Sequence, residues 1–377
     1  MFGSTICGRG YSFNSVFSKI YSIVVANSGE GKNSLIRSCQ KWSEELEAPD
    51  LIMKVNKFSS DSAVQSAIVR QPRSLCFLDE MGKTLIRQKN DSIASSAATQ
   101  LTIQFTTDTF LYPSGFADSN ACEKDKKDFN PKMEICQVPS LSLCGLSNPS
   151  DMSLSLTEES FETGELSRYM VFLLDEAICL PEIQDDFVLP ERCKHRIYEI
   201  LDSMGEYTPI INERGDADTA ERFGIQYGVS LLPYNNPPKK IKCYLEKGEL
   251  SINKLDYDYQ YKRVTEQNLI YKTLFSRRLE KILKVCIILE LMNRDYSEEV
   301  NFNKIRNTGL MIHQNTLKDA IKVVEYSDEC MKKFELNKKS FSSQIIKSVN
   351  IILKVLRKGD VDKLSRSDIN KLLTKMK

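Results

Sequence analysis

Between about Tyr21 and Tyr169 the apolar residues come in short closed runs rather than in stripes. Tyr21–Ala26, Ser74–Leu78, Ser140–Gly145 and Tyr169–Leu174 are each no more than six residues long, bounded by polar residues, Gly or Pro. Short, largely apolar runs of this length mark strands buried on both faces, as in a parallel sheet. Between the first two runs, Ser34–Leu46 and Ser62–Arg70 have helical spacing and length. Strand, helix and strand in alternation predict an α/β fold, a parallel-sheet core with right-handed crossovers.

Past the core the period changes. Residues 88–135 read as an insertion, first rich in Ser, Thr and Ala, then polar and charged around Glu123–Lys132. Residues 201–265 read as an irregular connecting region containing Pro237-Pro238. From Glu266 apolar residues return at i, i+3 and i+4: Leu279, Ile282, Leu283, Cys286 and Leu289, then Leu317, Ile321, Val324 and Met331, then Ile345, Val349, Ile352 and Leu356. That spacing predicts a helical domain over 266–358. Gly359 stops the last of these helices, and residues 359–377 read as the opening of a winged-helix module.

Composition narrows the class only a little. Of 377 residues, 41% are apolar and 27% charged, ordinary values for a globular chain. No apolar run approaches the roughly 20 residues of a membrane span, and the start lacks a signal-peptide pattern, so a cytoplasmic protein without a membrane partner is expected. The eleven cysteines contain no CxxC, and the two histidines, His195 and His313, sit in no metal-ligand spacing. Cysteines such as Cys76, Cys144 and Cys286 lie inside apolar runs and are expected as small buried hydrophobes. The net charge is +1, but eleven acids against Arg168 alone in 151–191, and thirteen Lys/Arg against four acids in 331–377, leave a basic C-terminal part.

The candidate chemistry begins where the first strand ends. Tyr21-Ser-Ile-Val-Val-Ala runs into Asn27-Ser28-Gly29-Glu30-Gly31-Lys32-Asn33-Ser34 and then a helix. Glycines let the backbone wrap a phosphate, successive N–H groups form an anion nest, and the helix N-terminus adds partial positive charge. Lys32 is placed to reach the β- and γ-phosphates, so ATP is the expected ligand of residues 27–34. Two positions depart from the usual phosphate loop: Ala26 replaces the first Gly, and Asn33 stands where a Ser or Thr hydroxyl would hold Mg2+. Asn33 can offer its amide oxygen or hold the ion through a water, and Ser34 can compensate only if the helix starts one residue out of register; the change weakens the case for efficient hydrolysis more than the case for binding. Ser74–Leu78 ends in Asp79-Glu80, 47 residues after Lys32. Asp79 is expected to hold Mg2+, and Glu80 to orient and deprotonate the attacking water. A third strand ends at Asn148-Pro149, where an amide can position that water. Arg168 follows twenty residues later, just before a fourth strand, suited either to a local acid or to a neighbour's nucleotide.

Phosphate loop, acid pair, strand ending in Asn, then Ser-Arg before a strand: this order resembles superfamily 3 helicases. It is closer still to the helicase-like ATPase domains of phage and plasmid primase–helicase proteins, including a related family without assigned function. The lead-in Ile6–Tyr11 and the stretch Tyr271–Glu290, with Arg277 and Arg278, resemble the flanks of that family. The resemblance implies an AAA+-like P-loop core over 1–200, a ring-shaped homo-oligomer, often a hexamer, and ATP-driven translocation on single-stranded DNA. It gives Lys32 and Asp79 to nucleotide and magnesium, Glu80 the base, Asn148 the sensor and Arg168 the arginine finger. It also implies a primase or origin-binding partner, and a pore hairpin where Lys124, Lys126 and Lys127 stand, suited to phosphates. A second reading keeps the fold without the motor: a nucleotide-binding regulatory or interference ATPase with weak hydrolysis, favoured by Asn33.

Overall fold

The structure, a computed structural model, describes residues 11–13, 16–27, 29, 31–45, 51–53, 57–70, 73–88, 91–106, 109–111, 135–137, 140–162, 164–174, 241–293 and 309–334. In chain order the first elements are β1 (Tyr11–Phe13), β2 (Val16–Phe17), β3 (Tyr21–Val25), α1 (Lys32–Glu45), β4 (Ile52–Met53), α2 (Asp61–Arg70), β5 (Arg73–Leu78) and α3 (Met81–Gln88). Then come α4 (Ser92–Thr106), β6 (Thr109–Leu111), β7 (Ile135–Gln137), β8 (Ser140–Ser147), α5 (Pro149–Ser155), α6 (Glu158–Glu162) and β9 (Tyr169–Leu173). The described part closes with β10 (Ile241–Leu245), α7 (Ile252–Thr265), α8 (Leu269–Asn293), β11 (Leu310–Ile312) and a helix, α9, over 314–334.

Five strands form one all-parallel sheet in the order β4-β5-β8-β3-β9. The four expected core strands are all in it, and the α/β parallel-sheet class is what the sequence predicts. The chain leaves β3, travels to the far edge at β4, returns through β5 and β8, and then passes β3 to reach β9. Right-handed crossovers in two directions put the intervening helices on opposite faces. On one face α1 brings Cys39 and Ile36 against Leu75, Phe77, Cys144 and Leu146. On the other, Met81 of α3 lies beside Gly145 and Ile23. The strand order therefore reverses between β3 and β8; in such sheets the helices that follow diverge there and leave a crevice at the carboxyl ends, the usual ligand position.

Three features differ from the sequence reading. The Ser/Thr/Ala-rich start of the expected insertion is α4, a helix of the core: Ala94, Ala97, Ala98, Leu101 and Phe105 are buried. Tyr21 Oη donates to Leu101 O at 2.9 Å, and the Tyr21 and Phe105 rings lie 4.9 Å apart. Residues 252–265, read as irregular, form α7, capped by Ser251, whose hydroxyl accepts from Lys254 N. A second sheet, β11-β10-β1-β2, joins residues distant in sequence, with Tyr11 opposite Ile241 and Cys243 opposite Leu310. It shares a core with α7, α8 and α9 that includes Phe13, Ile282, Ile287, Leu310, Leu317 and Val324.

Residues up to Cys330 form one compact unit and Met331–Lys377 a second, of which only 331–334 are described. The 345–356 periodicity, the module at 359–377, Glu123–Lys132 and residues 201–240 lie outside the described residues. Among those described, no helix is long and apolar enough to cross a membrane. Cys76, Cys144 and Cys286 are buried thiols; burial pushes the Cys76 thiol up to about 12.

Candidate functional site

Three expected positions converge at the carboxyl ends of β5, β8 and β3, which are neighbours in that order. The loop after β3 turns through Gly29 (φ 89°) and Gly31 (φ 79°), left-handed conformations that glycine adopts without strain. A Cβ at Gly29 would meet nothing within 4 Å, so the loop is open on that side. Ser34 N donates to Gly31 O at 2.9 Å, starting α1 with a tight turn and leaving its first amides at the helix N-terminus. Asn27, Asn33 and Ser34 are exposed; Ser28 and Glu30 lie outside the described residues. Lys32 bends back over the crevice, and its Nζ donates to Ala26 O at 2.9 Å and to Ser147 O at 3.2 Å. The ammonium thus rests on two carbonyls at the ends of adjacent strands, a hold that a phosphate oxygen can replace.

Asp79 and Glu80 close β5, one strand beyond β8, so the acid turn lies about 10 Å across the sheet from the end of β3. Asp79 is exposed, and its Oδ1 accepts from Glu80 N at 2.8 Å. Glu80 has φ 50°, the one positive φ among described non-glycine residues. Such a conformation costs of the order of 1 kcal/mol for an L-residue and persists where neighbours enforce it. Here Thr84 N donates to Glu80 O at 3.1 Å, so Glu80 starts α3 while its side chain stays exposed and ion-paired with Lys83. Its hydrogen bond to Glu80 lifts the Lys83 ammonium above the ordinary lysine value, and the charges of Glu80, Asp151 and Asp79 add to the effect. Lys83 was not singled out by sequence; the one signal available is an acid–lysine pair three residues apart at a helix start.

Asn148 is the N-cap of α5. Its Oδ1 accepts from Asp151 N at 2.7 Å and from Ser150 Oγ at 2.8 Å, while Nδ2 donates to Asp151 Oδ2 at 2.7 Å. The side chain is thus engaged in capping, beside the crevice but turned to its own helix. Gly82 packs on this turn so closely that a Cβ there would meet Ser147 Oγ at 2.6 Å and Asp151 backbone at 2.8 Å. The acid turn is thus seated on the Asn turn, with the Ser147 hydroxyl at the contact.

Arg168 is not brought to this group. It ends the 3-10 turn Leu166–Arg168 immediately before β9, whose far end is tied to the site by the bond from Leu174 N to Val25 O at 2.9 Å. Six residues of strand separate the two, about 20 Å, so Arg168 lies at the opposite end of the sheet. It is half-buried, Nη1 donates to Gly164 O, and among the described residues the buried Nε has no hydrogen-bond partner. Burial, and then the like charge of Arg277, lower its pKa from the ordinary guanidinium value. Lys124, Lys126 and Lys127 lie outside the described residues.

The open glycine turn, Lys32 on its two carbonyls and the exposed Asp79 at the end of β5 are the groups here that would hold a nucleotide and its magnesium. Among the described residues no cluster of three or more His, Cys, Asp or Glu side chains is placed to hold a metal by itself. Neither the profiles of known protein families nor the curated proteins contain a match to this chain.

Proposed function

We propose that the chain is an ATPase of the P-loop class that works as a DNA helicase motor, translocating on single-stranded DNA in the replication of a mobile element. The observation that carries the nucleotide part is the position of Lys32. Its ammonium lies on Ala26 O and Ser147 O where the strand order reverses, with the acid turn one strand away. In this reading the amides of residues 27–34 surround the phosphates, and Lys32 exchanges its carbonyls for β- and γ-oxygens. Asp79 holds magnesium, which when bound draws charge from the phosphates. Asn33 reaches the ion with its amide oxygen. Glu80 orients the attacking water and takes its proton. Asn148 senses the γ-phosphate only by giving up Asp151.

Arg168 sits at the wrong end of the sheet for its own nucleotide, so its place as a finger is on a neighbouring copy. That requires a homo-oligomer, a ring and in the family named above often a hexamer, and it requires the half-buried guanidinium to leave Gly164 O and turn outward. Single-stranded DNA and a primase or origin-binding protein are the partners proposed with it.

The test is ATP turnover with and without single-stranded DNA, in the wild type and in Glu80→Gln. The expected result is DNA-stimulated turnover that falls at least about 100-fold in the variant. Equal turnover in both would remove Glu80 from the chemistry. Asn33 in place of the metal-binding hydroxyl favours the second reading, a regulatory or interference ATPase that controls assembly; ATP bound without turnover in either protein is its signature.

A further inference from the structure

We infer that Ser147 is a positioning residue that fixes the acid turn to the lysine, an inference that rests on the nucleotide reading above. Ser147 is the last residue of β8 and 3% exposed. Its carbonyl accepts from Ala26 N at 3.1 Å and from Lys32 Nζ at 3.2 Å. Its hydroxyl accepts from Gly82 N at 3.2 Å and donates to Asn148 O at 3.2 Å. One side chain and its own backbone therefore join the end of β3, the lysine, the first turn of α3 and the turn before α5.

The geometry explains two oddities at once. Gly82 has no side chain because its amide must come within reach of the Ser147 hydroxyl, where a Cβ would collide. Glu80, two residues earlier, keeps its positive φ because the turn is pinned on both sides: by Asp79 Oδ1 before it, and by Ser147 through Gly82 after it. The hydroxyl thus sets the span between Lys32 and Glu80 that the nucleotide has to fit. Misplacement of a reacting group by about 1 Å costs on the order of 100-fold in rate while leaving remote binding contacts intact. Loss of the hydroxyl acts on turnover, not on affinity.

The experiment compares Ser147→Ala, Ser147→Thr and, as control, Ser142→Ala. Ser142 lies on the same strand, is equally buried, and its hydroxyl accepts Ile20 N at 3.2 Å away from the carboxyl end. In S147A, kcat is expected to fall about 10- to 100-fold while the dissociation constant of a fluorescent ATP analogue changes by less than about threefold. S147T, which keeps the hydroxyl, restores turnover; S142A lowers the melting temperature without lowering kcat. Unchanged turnover in S147A, an equal loss in S142A, or a parallel loss of affinity would each overturn the inference. If the wild type binds ATP without hydrolysing it, hydrogen exchange at the Gly82 amide decides: faster in S147A supports the bridge, equal rates reject it. If the wild type does not bind ATP at all, the nucleotide reading fails and this inference falls with it.

Discussion

Asp328 accepts from Arg278 Nε at 2.8 Å and lies 3.5 Å from Lys281 Nζ, with all three side chains buried. Burial lowers the pKa of Lys281, and Asp328 opposes that, so the carboxylate is what lets two cations stay inside α8's packing. Removing one partner of a buried ion pair strands the others and costs about 3–5 kcal/mol. Asp328→Asn is therefore expected to lower the melting temperature by at least about 6 °C in a calorimetric scan. A drop under about 2 °C would mean that the cations relax to water. Two other buried lysines meet helix carbonyls. Lys19 and Lys284 donate to Gln104 O at 2.6 Å and Phe105 O at 3.0 Å, the last-turn carbonyls of α4, where positive charge complements the helix dipole, and Lys284 also pairs with Glu280 at 3.2 Å. At this scale the sequence shows residues whose chemistry is intrinsic: Lys32, Asp79 and Glu80 are conspicuous because a lysine after Gly-x-Gly and two acids after an apolar run have few other uses. Ser147 and Lys83 are not, because what matters about them is which backbone or carboxylate they meet, and that exists only in the fold.

The buried parallel strands were legible because a strand covered on both faces takes apolar or small residues at nearly every position, serines included in Ser140–Ser147, and such a run stands out once larger polar residues close it. α4 was not, because its face is built from Ala94, Ala97 and Ala98, small residues whose spacing looks like linker composition until something packs on it. α7 hid for the opposite reason: Tyr257, Tyr259 and Tyr261 alternate like a strand, yet only Leu255 and Tyr259 are buried. The start of α4 is also where an element-scale test lies. Asp91 Oδ1 accepts from Ile93 N and Ala94 N, and Oδ2 takes Arg87 Nη2 at 2.9 Å. The bond from Arg87, then that from Ala94, holds the Asp91 carboxyl below its ordinary range. A carboxylate with a depressed folded pKa contributes stability above its unfolded value, near 4, and loses it as pH falls through the folded value. Asp91→Ala is thus expected to melt lower than the wild type at pH 7, with the gap closing as pH drops below about 4. A gap that stays constant with pH would assign the loss to the helix start alone and not to the charge.

For the molecule as a whole, the site is a product of strand order. Lys32, Glu80 and Asn148 come from three segments that meet because β5, β8 and β3 lie side by side with their carboxyl ends together. The alternation of apolar runs and helices announced a parallel sheet, but the order of its strands was not readable from their sequences, since buried strands of similar composition carry no address. The second sheet was invisible for a related reason: β1, β2 and β11 are two or three residues long, and Tyr11 finds Ile241 only after the intervening chain has folded. Arg168 was legible as a residue of interest, while its placement about 20 Å from the Gly29–Lys32 turn became visible only with β9 in place. The central claim is that the crevice between β3 and β8 takes a nucleotide, and equilibrium binding of ATP with Mg2+ to the wild type and to Lys32→Ala tests it most directly. The account expects a dissociation constant between about 1 μM and 1 mM for the wild type, weakened at least about tenfold in the variant, with both proteins melting alike. No binding by the wild type, or equal binding by both, would contradict it.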